Sequence, residues 1–177
     1  QGSKVYYFNT YQGDNFLVPQ RVENFEKLLL IVLRNTGISV NELLFLTKAV
    51  CRGISRALIV ADLPFMSYLP SISLAVENAG RFIKEGKADA VKLEGGKKII
   101  NQIKLLIKNK IPVMGHLGLL PQSAKGKFKS KGNTIKEINQ LLDDAKLLQK
   151  NGVFAIVLEC IKTPIAKKIT RNLNIPT

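Results

Sequence analysis

From residue 38 onward, the spacing of apolar residues switches repeatedly between a helical period and short, wholly apolar runs. Ser39 followed by Glu42 predicts a capping box, and behind it Val40, Leu43, Leu44 and Val50 recur at helical spacing until Arg52-Gly53. Ala57 to Ala61 is a short apolar run, the pattern of a strand covered on both faces, and it ends at Asp62 with Pro64 beyond. Ser71 caps a second predicted helix carrying Leu74, Ala75, Asn78, Ala79 and Phe82, with Gly86 past its end. The strand Ala88 to Leu93 closes on Glu94-Gly95-Gly96. A helix follows, marked by Ile99, Ile100, Ile103, Leu106 and Ile107 and stopped by Pro112. Pro112 to Gly115 predicts a brief strand ending at His116, then a loop from Gly118 to Asn133. Thr134 with Glu137 predicts another capping box, ahead of a stripe of Ile135, Ile138, Leu141, Leu142, Ala145 and Leu148 that stops at Asn151-Gly152. Val153 to Leu158 is the next strand, ending at Glu159. Pro164 opens a helix through Ile169, and Ile175-Pro176-Thr177 reads as the start of another strand.

Alternating strands and helices imply an α/β fold with a parallel sheet and right-handed crossovers. Two architectures compete, an open doubly wound sheet and a closed (βα)8 TIM-type barrel. Both place ligands beyond the carboxyl ends of the strands. A complete barrel usually needs about 250 residues, so the expectation is a compact open sheet or a barrel incomplete at both ends, forming a single domain over 1–177. Residues 1–37 are poorly readable: Val5 to Tyr7 reads as a strand, and Asn24 to Leu33 fits helix or strand equally.

Composition narrows the function classes. Apolar residues at 46% and charged residues at 23% are the balance of a folded soluble chain. The longest apolar run, Leu28 to Leu33, is too short to span a bilayer, and no signal pattern opens the chain, so a cytoplasmic protein with no membrane partner is expected. The net charge of +14 arises from lysines scattered over predicted helix faces without interleaved aromatics, and only Lys125 to Lys131 forms a cluster. No nucleic-acid partner is therefore expected. Cys51 and Cys160 lie far apart in no metal-binding spacing and read as free, buried thiols.

The chemistry lies at the strand ends. Asp62, Glu94 (with Lys92 before it), His116 and Glu159 end four consecutive predicted strands, so they converge on one rim of a parallel sheet. Two carboxylates without a nearby cysteine or second histidine suit a hard cation such as Mg2+. Lys92 adds positive charge for an anionic substrate, and Glu159, raised in pKa by apolar surroundings, suits a general base. Together these fit proton abstraction beside a carbonyl. Each residue also has a plain structural reading: Asp62 as a turn cap, Glu94 as a solvated loop residue, Lys92 paired or exposed. His116 fits a hydrogen-bonded structural histidine, and Glu159 a salt bridge to Lys162 or Arg56.

Four segments resemble the ketopantoate hydroxymethyltransferase family: Arg56-Ala-Leu-Ile-Val-Ala-Asp-Leu-Pro-Phe-Met-Ser-Tyr68, Ala88-Asp-Ala-Val-Lys-Leu-Glu-Gly-Gly96, Pro112-Val-Met-Gly-His-Leu-Gly-Leu-Leu-Pro-Gln-Ser123 and Ala155-Ile-Val-Leu-Glu-Cys160. They stand in the family's order, and Thr47-Lys-Ala-Val-Cys-Arg-Gly53 agrees too; the resemblance runs from about residue 38 to 177. It implies a β/α barrel that transfers a hydroxymethyl group from 5,10-methylenetetrahydrofolate to α-ketoisovalerate, giving ketopantoate for pantothenate synthesis. By the same resemblance Asp62 and Glu94 hold magnesium. Asp62, Lys92 and His116 contact the substrate, and Glu159 removes the proton from its branched carbon. Assembly into a homo-oligomer is also implied.

The chain departs from the family pattern in places. The family's upstream Gly-Asp-Ser, whose aspartate completes the metal site, is absent, the region reading Arg21-Val-Glu-Asn-Phe25. Leu120 replaces a threonine in the family's Leu-Thr-Pro-Gln-Ser. The rival readings are a catalytically impaired relative acting as a binding or assembly subunit, another carbon–carbon bond reaction of the same barrel superfamily, and a basic RNA-binding module.

Overall fold

The computed structural model describes residues 5–9, 27–32, 37–54, 56–123 and 129–177. In these, six strands form one sheet: β1 (Val5–Asn9), β2 (Lys27–Val32), β3 (Ala57–Asp62), β4 (Ala90–Glu94), β5 (Val113–Gly118) and β6 (Ala155–Glu159). Helix α1 (Val40–Gly53) connects β2 to β3, α2 (Ile72–Lys84) leads to β4, and α3 (Ile100–Lys108) to β5. Helix α4 (Ile135–Lys150) leads to β6, and α5 (Thr163–Arg171) follows it.

Every pairing is parallel, and each strand lies beside its predecessor in the chain. This order decides between the two architectures. A doubly wound sheet reverses direction at a switch point, whereas a barrel winds one way throughout. The described strands wind one way, so the sheet is a parallel half-barrel with its helices on one face.

Side-chain parity then divides the sheet. Ile59, Ala61, Val91, Leu93, Val113, Leu117 and Ile156 face the helices and join one large core with Ala79, Phe82, Ile103, Leu106, Leu141 and Leu148. The opposite parity supplies a small second cluster, Val60, Ala90, Met114, Ala155 and Val157, lining the inner face. Burying a side chain such as Phe82 contributes roughly 1.5–3 kcal/mol, so the helix side dominates stability. The inner face is less covered at the amino end of β3, where Leu58 is 41% exposed. The expectation of cover on both faces holds for the carboxyl half of that strand.

Glycine is required at two positions of β5. A Cβ on Gly115 would lie 2.9 Å from Leu148 Cδ1, so the glycine lets α4 approach the sheet. Gly118 has φ +100° and a Cβ there would meet the Glu159 carbonyl at 2.1 Å. It allows the Leu119 amide to donate to that carbonyl at 2.8 Å, which fixes the end of β6.

The capping box at Ser39 forms as predicted, with Glu42 Oε2 2.8 Å from the Ser39 amide. The second predicted box is half made. Thr134 Oγ1 accepts from the Glu137 amide, but the Glu137 carboxylate accepts from the amides of Gly132 and Asn133 instead of Thr134. Gly132, in the left-handed region, turns two successive amides toward it. The apolar stripe of α4 begins later than predicted, since Ile135 is 78% exposed in its first turn. The cysteines are free as expected, but they are not buried: Cys160 is exposed and Cys51 half-buried. Residues 175–177 form no strand, although the Ile156 amide donates to the Pro176 carbonyl at 3.0 Å. Among the described residues no helix is long and apolar enough to cross a membrane.

Candidate active site

The inner-face parity that forms the small apolar cluster continues upward into charge. One step beyond Val60 is Asp62, above Ala90 stand Lys92 and Glu94, above Met114 stands His116, and above Val157 stands Glu159. The sheet register sets Asp62 opposite Lys92, Glu94 opposite His116 and Gly118 opposite Glu159. A two-residue strand period on adjacent strands therefore brings all five side chains to one rim.

Lys92 lies at the centre. Its Nζ is 2.9 Å from Asp62 Oδ2, 3.1 Å from His116 Nδ1 and 3.8 Å from Glu94 Oε1. His116 Nδ1 is in turn 3.6 Å from Glu94 Oε1, and His116 Nε2 is 3.3 Å from Glu159 Oε2. Asp62, Lys92, Glu94 and His116 are buried, and Glu159, with 25% of its side chain exposed, stands at the mouth. That position differs from the apolar enclosure expected for it.

Burial sets the proton states. It pushes the Asp62 carboxyl up to about 6 against the opposing pull of Lys92, and Glu94 up to about 7, with Lys92 again opposing and Asp62 reinforcing. Burial lowers the His116 pKa, so the ring is neutral near pH 7. A neutral ring that accepts from the Lys92 ammonium at Nδ1 carries its proton on Nε2, toward Glu159. Beyond this 3.3 Å contact, Nε2 has no hydrogen-bond partner among the described residues. Asp62 Oδ1 is likewise buried without a hydrogen-bond partner among the described residues. A buried acceptor left so costs about 1–3 kcal/mol, which marks a place for a ligand donor or a cation.

These groups fit magnesium. Asp62 offers Oδ1, and Glu94 presents Oε1 while its Oε2 accepts from the Gln122 amide at 3.1 Å. Among the described residues no group of three or more His, Cys, Asp or Glu side chains forms a metal cage. One or two carboxylates with the remaining positions left to water and substrate oxygens is the usual magnesium arrangement.

Two further residues belong to the site and were not singled out from the sequence. Tyr68, in the loop after β3, and Gln122, in the loop after β5, are buried against Glu94. Both stand in the segments quoted above. The one signal available was a polar side chain shortly after a strand end, where loops carry function.

A parallel sheet wound in one direction, with a buried ionic cluster at its carboxyl rim, is the arrangement of β/α-barrel enzymes. Residues 30–177 match the family described as ketopantoate hydroxymethyltransferase, and the chain belongs to that family of transferases. It is 54% identical over 143 residues to the 3-methyl-2-oxobutanoate hydroxymethyltransferase of Clostridioides difficile (strain 630), covering 80% of this chain and 52% of that protein. The enzyme of the same name from Carboxydothermus hydrogenoformans is 52% identical over 142 residues, covering 79% of this chain and 51% of that one. The chain thus spans about half the length of the curated relatives it matches. Among solved structures, 2,3-dimethylmalate lyase, a PEP mutase/isocitrate lyase superfamily member, superposes with a TM-score of 0.62 at 10% identity. The match covers 83% of this chain and 54% of that one, and it supports the fold alone.

Proposed function

We propose that this chain carries the catalytic rim of a barrel that transfers a hydroxymethyl group from 5,10-methylenetetrahydrofolate to α-ketoisovalerate, forming ketopantoate. The observation that supports this best is the buried Asp62–Lys92–Glu94–His116 cluster beside Glu159, in which Asp62 Oδ1 has no hydrogen-bond partner among the described residues. Asp62 and Glu94 would hold Mg2+. When bound, magnesium would supply fixed positive charge next to the oxygen on which enolate charge develops.

The chain's own groups do the rest. Lys92 offsets the negative charge of a keto acid that enters a site already rich in carboxylate. Neutral His116 presents its Nε2 proton as a donor and stays uncharged, which leaves Lys92 as the cation of the cluster. Glu159 takes the proton from the substrate's branched carbon. Its place at the mouth lets a substrate lie between it and the buried carboxylates. Water exclusion by the inner-face residues strengthens each of these interactions. The same reading includes a cytoplasmic, homo-oligomeric enzyme of pantothenate synthesis.

Calorimetric titration of α-ketoisovalerate into the protein, with and without magnesium, tests this assignment. Binding that requires magnesium and is lost in Asp62→Asn is expected. Binding of equal strength without magnesium would overturn the assignment of Asp62 and Glu94 and favour a relative that only binds or assembles.

A further inference from the structure

We propose that Tyr68 and Gln122 are a positioning pair that fixes which oxygen of Glu94 is offered to a cation, an inference that rests on the magnesium reading of the site. Tyr68 is 1% and Gln122 7% exposed, and their polar groups are spent on one another and on the rim. The Glu94 amide donates to Tyr68 Oη at 3.1 Å, and Tyr68 Oη donates to Gln122 Oε1 at 3.2 Å. Gln122 Nε2 donates to the Leu63 carbonyl at 2.9 Å, and the Gln122 amide donates to Glu94 Oε2 at 3.1 Å. The Leu63 amide donates to the Lys92 carbonyl at 3.1 Å.

These bonds join three separate strand ends. Leu63 directly follows Asp62, Glu94 closes β4, and Gln122 lies in the loop after β5. The side chain of Gln122, through the Tyr68 hydroxyl, therefore ties the peptide beside one carboxylate to the peptide that holds the other. With Oε2 engaged by the Gln122 amide, Oε1 is the oxygen turned toward Lys92 and His116. Packing alone does not require this arrangement, since apolar side chains of similar volume would fill the same space without burying polar groups. Partners of this kind around metal-binding carboxylates typically carry 10–100-fold in metal affinity.

Tyr68→Phe removes only the hydroxyl, and Gln122→Met removes the side-chain polar groups while keeping the amide. Thr47→Val is the control, because the Thr47 hydroxyl serves the Leu43 carbonyl within α1. Manganese binding followed by electron paramagnetic resonance should weaken about tenfold or more in each of the first two variants. The double variant should lose less than the product of the single losses, and Thr47→Val should bind like the unaltered chain. Manganese affinity in folded Tyr68→Phe and Gln122→Met equal to that of the unaltered chain would overturn the proposal.

Amide hydrogen exchange reads the same clamp without a metal. In Tyr68→Phe the amides of Glu94 and Gln122 should lose protection together, while those of α2 and α3 keep theirs. If the unaltered chain binds no manganese, the magnesium reading fails. The clamp is then judged on exchange alone, and unchanged protection at both amides would sink it.

Discussion

The two faces of the sheet are built from alternate residues of the same strands and have little else in common. On the outer face, Ile59, Val91, Leu93 and Val113 join residues of all five described helices in a continuous apolar core. On the inner face a few apolar side chains support a layer of buried polar groups, in which Asp62 Oδ1 and His116 Nε2 lack hydrogen-bond partners among the described residues. The difference separates stability from chemistry at single-residue resolution. Asp62 and Ala61 are neighbours in the chain, yet one is part of the site and the other of the core.

Substitutions can test how complete that separation is. The largest expected effect lies on the helix side: Phe82→Ala, at a fully buried position, should cost about 3–5 kcal/mol in urea denaturation. Manganese affinity of the folded fraction should stay unchanged. A loss of affinity would show that the two faces are coupled.

Smaller, and opposite in character, is the effect of pH on the inner face. Asp62 and Glu94 hold their protons more tightly folded than unfolded, rising from 3.8 to about 6 and from 4.5 to about 7. Between about pH 4 and 7 the folded chain therefore binds more protons, and these groups reduce stability as pH rises. Asp62's share is on the order of 1–3 kcal/mol. Denaturation at pH 5 and pH 8 in chelator should show Asp62→Asn losing less on the alkaline side than the unaltered chain. Magnesium, which favours the charged carboxylates, should shrink the same difference. A slope unchanged in Asp62→Asn would contradict this account of the buried carboxylates.

The smallest effect is expected at the floor of the site. Met114→Leu conserves volume in the inner cluster and should cost less than about 1.5 kcal/mol. Substrate and metal affinity should hold, because Met114 belongs to the apolar cluster below the charged rim.

The strand ends were legible because a period of two is a strong signal and a charged residue closing an apolar run is rare. Asp62, Lys92, Glu94, His116 and Glu159 were all found this way, although only the structure shows Lys92 as their hub. Strand β5 runs further than expected because Gly115 and Gly118 look like breakers in sequence. Their function is close approach to Leu148 and to the Glu159 carbonyl, and both partners are distant in the chain. Tyr68 and Gln122 stayed hidden for the same reason, since a loop polar residue acquires its meaning from the strand end it meets. The box at Thr134 is only half made because local spacing cannot reveal that the Gly132 and Asn133 amides would draw the Glu137 carboxylate away. Residues 10–26, which include the stretch standing in place of the family's Gly-Asp-Ser segment, lie outside the described residues.

The central claim is that this rim removes a proton from the branched carbon of a keto acid with magnesium in place. Proton NMR of α-ketoisovalerate in deuterated water with the protein follows exchange of that single proton and needs no folate. The account predicts magnesium-dependent exchange that falls by roughly 10²–10⁴-fold in Glu159→Gln, the loss expected when a general base is removed. Exchange absent from folded protein with saturating magnesium, or undiminished in Glu159→Gln, would contradict it.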